Sequence, residues 1–414
     1  MLSGGAVFGG PQGAFLGSSA KSHFGGSAAL GTSSESSESR GQIDGIFDPV
    51  TGAVREVSGR DPVSVRLERW ALQSVARWAV PDSRTARCLR VRQKGRDGVD
   101  VLRSRVHFMA HFSGLQTCGS VWVCPICATK ISERRRVELL AGMASHQVQG
   151  GQVLLLTFTH PHTKADRLGD LLVGEQLALT RFFGSTAGVA LFRDMGRVGH
   201  VRAWEVMHGR RREVSHGWHP HFHILLFLDR DSGDLGAWED RLFSVWANAC
   251  RLGGLDAPSR AHGVRLDDGT KAGRYVAKMG LEELTGPVWG LDAEMTKGHI
   301  KRAKDGETPF DLLRAILGDR GDGEAVRLFR EYAGAYRGKR QLVWSRGLRE
   351  RLGLDADVSD EEIAATPEEG AEVLGRLTLD EWRAVLRCDF RGELLELARH
   401  GWEHVRRLLD GLGV

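Results

Sequence analysis

Tyrosine is the scarcest aromatic residue in this 414-residue chain, with three copies at 275, 332 and 336. Any chemistry that needs a phenol therefore has three places to occur. Long apolar runs are missing as well. None approaches the roughly 20 residues that span a bilayer as a helix, which argues against a membrane function. The opening MLSGGAVFGGPQGAFLGSS has neither a basic start nor a continuous apolar stretch. It does not read as a secretory signal, and the expected location is the cytoplasm. No repeat of fixed period is present, which excludes solenoids. Nor is there a strong excess of one charge: 57 Lys and Arg against 53 Asp and Glu leave +4. That balance permits a polyanionic partner without demanding one.

What is present is ordinary for a globular protein, with 41% hydrophobic and 27% charged residues. The length exceeds one average domain. Residues 1–60, rich in Gly, Ser and Ala, hold too few large apolar residues to offset chain entropy and read as disordered. Residues 61–150 read as a helical region with a cysteine knuckle, 151–350 as the main domain, and 351–414 as a helical accessory region. Helical spacing runs through PVSVRLERWALQSVARWAV until Pro81, through ATKISERRRVELLAGMASH, and through LGDLLVGEQLALTRFFGSTA. Strands are expected at Gln152–Thr159, VRAWEVMH and His219–Leu228. The alternation predicts an α+β fold, a central sheet with flanking helices. Residues 355–375 carry eight acidic and no basic side chains. This acidity argues against the C-terminal region, expected to close with two helices, lying on DNA.

The most informative stretch is Trp218-His-Pro-His-Phe-His-Ile-Leu-Leu226. On a strand, His219, His221 and His223 leave one face while Phe222, Ile224 and Leu226 leave the other. Two imidazoles at that spacing suit a divalent ion if a third ligand arrives from a neighbouring strand. Glu205, in the strand that a hairpin joins to this one, is the candidate. A second pair, His160-Pro161-His162, ends in a loop and reads as structural or substrate-side.

Cys118, Cys124 and Cys127 crowd together, and Cys124-Pro-Ile-Cys127 is a knuckle that lets two thiolates converge on one ion. In a cytosolic protein that spacing favours metal over disulfides. A structural Zn2+ needs a fourth ligand, for which Cys88 comes first, with His107 or His111 behind it. Arg134, Arg135 and Arg136 are expected on the exposed side of the following helix. With Arg210, Arg211 and Arg212 in the hairpin loop they are candidate phosphate contacts.

Tyr275 lies in Thr270-Lys-Ala-Gly-Arg-Tyr-Val-Ala-Lys278. If Thr270 caps a helix, Tyr275 and Lys278 share a face, and the lysine can ease phenolate formation and hold a phosphate oxygen. The order LLTFT, HPHFH, RYVAK resembles the three motifs of the HUH endonucleases, in particular the rolling-circle replication initiators of actinobacterial plasmids. The stretches TCGSVWVCPICATKISERRRVEL, GWHPHFHILLF and GKRQLVWSRGLRERLGL are similar to those initiators too, and the likeness spans roughly residues 85–410.

The resemblance implies a central antiparallel sheet of HUH type. It implies that His221 and His223, helped by Glu205, hold Mg2+ or Mn2+, and that Tyr275 attacks a DNA phosphate to leave a 5′ phosphotyrosine and a free 3′ hydroxyl. Implied partners are single-stranded or hairpin DNA at a plasmid origin, a host helicase and a DNA polymerase. One position departs from the pattern. Where relatives carry a carboxylate about one turn before the tyrosine, this chain has Lys271, and Asp267, Asp268, Glu282 and Glu283 are the nearby substitutes.

Tyr332 and Tyr336 have the spacing of a nucleophile pair but lie far beyond the histidine strand, and read as packing. Two other functions fit parts of the pattern. One is a transposase with the same chemistry; the other is a non-enzymatic zinc protein that binds DNA. A relaxase fits less well, because its nucleophile precedes the histidines.

Overall fold

The computed structural model of the chain describes residues 45–47, 54–56, 62–105, 108–268, 306–367 and 370–414. A short antiparallel hairpin pairs Gly45–Phe47 (β1) with Val54–Glu56 (β2). Helix Pro62–Ala79 (α1) follows and stops just before Pro81, which can neither donate its N–H nor fit a helix interior. Then come strands Val99–Arg103 (β3) and Ala110–Ser113 (β4), and helix Pro125–Val148 (α2), which begins with proline at its first position.

Gln152–Phe158 (β5), helices Leu168–Gly184 (α3) and Thr186–Asp194 (α4), and strands Arg197–His208 (β6) and Trp218–Leu228 (β7) continue the chain. Helix Leu235–Leu252 (α5) and strand Val264–Asp268 (β8) come next. After residue 305 the chain forms Pro309–Gly318 (α6), Gly323–Ala335 (α7), Leu342–Trp344 (β9), Leu348–Arg351 (α8) and Asp360–Ala365 (α9). It closes with Glu372–Leu377 (β10), Leu379–Cys388 (α10), Arg391–Ala398 (α11) and Trp402–Gly411 (α12).

The expected strands form the centre of a five-stranded antiparallel sheet ordered β8-β5-β7-β6-β9. Both of its faces are covered, which is why β5 and β7 read as nearly continuous apolar runs. One face carries Leu154, Leu156, Phe158, Phe222, Ile224 and Trp204 into a core shared with α3, α5, α6 and α7. The other carries Val153, Leu155, Val201, Ala203, Leu225 and Phe227 against Leu139 and Met143 of α2 and Leu348 of α8. The α+β architecture with antiparallel sheets follows the expectation.

A second sheet was not legible: β10-β3-β4, antiparallel, with β10 arriving from the far end of the sequence. Its core joins Val99, Val101 and Phe112 to Trp382, Leu394, Val405 and Leu409. The C-terminal run forms three helices where two were expected. Asp389 in the left-handed region and Gly401 at φ 132° break it. The acidic stretch finds basic partners within the chain. Asp357 and Asp360 pair with Arg135, Glu361 with Arg84, and Glu372 with Arg103.

Candidate functional site

Strand periodicity builds the first site. His221 and His223 leave the same face of β7, and Glu205 of β6 lies directly across from His221. The Nε2 atom of His223 is 2.8 Å from Glu205 Oε2 and that of His221 is 3.3 Å from the same oxygen. The two Nε2 atoms are 3.2 Å apart. All three side chains are buried, and three donors converge on one point. Neighbouring donors around an octahedral ion with bonds of about 2.1 Å stand about 3.0 Å apart, so the set fits one small divalent cation.

Thr157 lies across from His223 on β5, with its hydroxyl 3.1 Å from Nδ1. An Nδ1–H donated to that hydroxyl turns the Nε2 lone pair toward the convergence point. Burial favours the neutral acid at Glu205, yet hydrogen bonds from His221 and His223 outweigh it and hold the carboxyl well below its usual range. Burial likewise pulls His221 down, and Glu205 outweighs it and leaves the imidazole raised.

The second histidine pair splits between two tasks. His160 is enclosed in the core, with Nε2 3.0 Å from Glu175 Oε1 and Nδ1 2.9 Å from the Pro161 carbonyl. His162 faces the site's edge, its Nε2 2.7 Å from Nδ1 of His219, whose ring is 5.1 Å from that of His221. Thr157 escaped the sequence reading, although alternation along LLLTFT would have put it on the face of Val153 and Leu155.

The second site gathers four thiols. Cys88 follows the turn after α1, Cys118 lies after β4, Cys124 caps α2 and Cys127 sits in its first turn. The sulfur of Cys88 is 3.5 Å from that of Cys127 and 3.8 Å from that of Cys124, and Cys118 is 3.7 Å from Cys127. All four are buried and none is in a disulfide. A tetrahedron with metal–sulfur bonds of about 2.3 Å has edges of about 3.8 Å, so the cluster fits a thiolate-bound metal. Hydrogen bonds from the other three thiols hold Cys118 far below the ordinary value. Its contact pushes Cys88 up, and burial pushes Cys124 up. Four such sulfurs ionise together only around a cation. His107 lies outside the described residues, and His111, on β4, is not a member of the cluster.

The arginines divide differently from the expectation. Three consecutive helical residues turn through about 100° each, so they cannot share one face. Arg135 points inward, 6% exposed, bonded to Glu138, Asp357 and Asp360. Arg136 is largely covered beside Glu133, and Arg134 is half exposed beside Glu138. In the hairpin loop Arg210 is also enclosed, held by Glu307 and Asp322. Arg211 and Arg212 are exposed. Arg135 and Arg210 are therefore fastenings of the fold, and neither presents a free guanidinium to a phosphate.

Tyr332 and Tyr336 are buried, as their reading as packing required, and burial raises both phenols well above the ordinary value. Tyr275 and Lys278 lie outside the described residues, as do Lys271, Glu282 and Glu283. Asp267, next to the last residue of β8, is paired with Arg265, which lies across from Thr157.

A family model for replication proteins, Rep_1, matches residues 112–232, which include three of the four cysteines and the whole of β6 and β7. A protein named "Protein rep" from Streptomyces lividans is 31% identical over 343 residues, covering 66% of this chain and 73% of that protein. The chain belongs to the Rep_1 family of replication proteins. The likeness to replication initiators drawn from the motifs is thereby borne out. This replication protein also matches a "Neomycin resistance protein" from Streptomyces cyanogenus at 34% over 150 residues, 30% of the chain and 33% of that protein. No solved structure matches. Among the described residues no helix is long and apolar enough to cross a membrane.

Proposed function

We propose that this replication protein initiates rolling-circle replication of a plasmid by nicking one DNA strand and holding the new 5′ end on Tyr275, as an HUH-type nicking and joining endonuclease. The observation that carries the reading is the convergence of Glu205, His221 and His223 on one point of the sheet. That sheet's edge strand, β8, leads into the segment bearing Tyr275. Tyr275 lies seven positions beyond Asp268, a length that spans at most about 25 Å when extended.

Glu205 and the two imidazoles hold Mg2+ or Mn2+, which when bound supplies Lewis-acid polarisation of the scissile phosphate. Thr157 fixes the ring of His223. The phenol oxygen of Tyr275 loses its proton and attacks phosphorus. The bond to the 3′ oxygen breaks, that oxygen takes up a proton, and the 5′ phosphate stays on the tyrosine. Lys278, three positions along the sequence, holds a phosphate oxygen and favours the phenolate. The phosphotyrosine keeps the energy of the phosphodiester, so a later 3′ hydroxyl can rejoin the strand without ATP.

The released 3′ end is the primer for a host polymerase, with a host helicase opening the duplex. Arg134, Arg136, Arg211 and Arg212 supply phosphate contacts, and the four cysteines hold a structural Zn2+. The protein acts in the cytoplasm, where its thiols stay reduced.

The test uses a single-stranded origin oligonucleotide in Mn2+ on a denaturing gel. The wild type forms a covalent adduct; Tyr275→Phe and Glu205→Gln do not. An adduct that persists in Tyr275→Phe moves the nucleophile elsewhere. An adduct undiminished in Glu205→Gln removes the metal site from the reaction.

A further inference from the structure

Outside the sheet, an open cavity of about 390 Å³ lies where α1, the loop bearing Arg90, the turn between α6 and α7, and the end of α10 meet. Three of its lining side chains are Arg77, Arg90 and Arg320, and among the described residues Asp389 is the only carboxylate that lines it. That carboxylate is already shared. Arg90 reaches it at 2.7 Å and the fully buried Arg391 at 3.1 Å.

Arg77 and Arg320 are exposed and make no ion pair among the described residues. The Nε of Arg90 is buried without a partner. The basin thus gathers more guanidinium charge than the chain neutralises. Burial and then Arg90 bring Arg391 down to about 10, and Arg90 is itself lowered by burial, with Arg77 adding to it. Arg135 and Arg210, enclosed among several carboxylates, are raised instead. Asp389 takes a left-handed backbone, φ 56°, to stand between the two arginines.

Beside the basin Trp78 is 45% exposed, and the guanidinium of Arg320 lies 5.1 Å above its ring. An exposed indole next to unneutralised arginines is a platform for an unpaired base with its phosphate alongside.

We propose that this basin is a second DNA site, which takes a backbone phosphate of single-stranded DNA among Arg77, Arg90 and Arg320 and stacks a neighbouring base on Trp78. None of these residues belongs to the sheet that carries Glu205, His221 and His223. The site holds the strand and takes no part in the chemistry. The proposal rests on the reading that the protein handles single-stranded DNA.

The test measures binding of the full chain to a fluorescent single-stranded oligonucleotide, without added Mg2+ or Mn2+, across a salt series. Arg77→Ala with Arg320→Ala should weaken binding about tenfold and reduce the slope of log affinity against log salt by about 1.4, two contacts at about 0.7 each. Trp78→Ala should weaken it about tenfold for the single strand and leave binding of the matching duplex unchanged.

An unchanged salt slope in the double variant overturns the site. So does equal loss of duplex binding in Trp78→Ala, and so does displacement of the strand by dTMP at equal phosphate concentration, which would mark a free-nucleotide pocket. A wild type that binds no oligonucleotide overturns the nicking reading as well. A wild type that binds, with variants that bind equally, overturns the basin alone.

Discussion

His160 takes the structural half of the reading given to its pair, and its two ring nitrogens show how. Both ring nitrogens face acceptors, Glu175 and the Pro161 carbonyl, so the imidazole is held in its doubly protonated form inside the core. Burial opposes that charge and the bond to Glu175 outweighs it, leaving His160 raised. A raised folded value means stability that is complete below the free imidazole's pKa, about 6.5, and is lost as pH rises through the folded one. His160→Leu should cost about 3–5 kcal/mol in acid, where it leaves Glu175 buried and unpaired. The gap in Tm between the two proteins should narrow as pH rises above about 6.5, and a gap independent of pH would show the ring to be neutral. Thr157→Val tests the neighbouring site. It should lower apparent Mn2+ affinity in adduct formation by about 10-fold or more, with Tm little changed.

At the scale of elements, the cysteine cluster ties the chain between α1 and β3, the loop after β4 and the start of α2 to one point. Purified protein should carry one zinc per chain, and Cys124→Ser should lose it together with several degrees of Tm; a zinc-free wild type of unchanged stability would remove the metal from the fold. The second sheet makes a different prediction. A Cβ at Gly375 would collide with the indole of Trp402, where β10 crosses α12. Gly375→Ala should therefore cost about 1–3 kcal/mol by urea denaturation.

These two elements also mark what a sequence can and cannot tell. β5, β6 and β7 were legible because their pattern is apolar and local, and the register that sets Glu205 beside His221 follows from one hairpin. Cys88 was named as the fourth ligand because a knuckle with three thiols wants a fourth. By contrast β3, β4 and β10 are short and laced with polar residues, and the partner that makes them a sheet lies some 270 positions away. Arg135 and Arg210 misled for the same reason. Their counter-charges, Asp357 with Asp360 and Glu307 with Asp322, come from distant sequence, and a basic run looks solvated until those acids are placed.

For the whole molecule, the C-terminal residues are a structural part of the region around β3 and β4. A chain ending at residue 371 should lose the cover over Val99, Val101 and Phe112. It should be recovered as aggregate, and a soluble, cooperatively melting fragment would show that the five-stranded sheet and its helices stand alone. The pairing of β10 with β3 also sets a schedule for biosynthesis. While the ribosome is still translating, β3 and β4 wait as an unclosed ribbon, and they are completed only after residue 377 has left the exit tunnel. A truncated message therefore yields a polypeptide that has the Glu205, His221 and His223 strands yet still exposes an adhesive edge, a natural mark for proteolytic disposal before an incomplete copy can reach an origin.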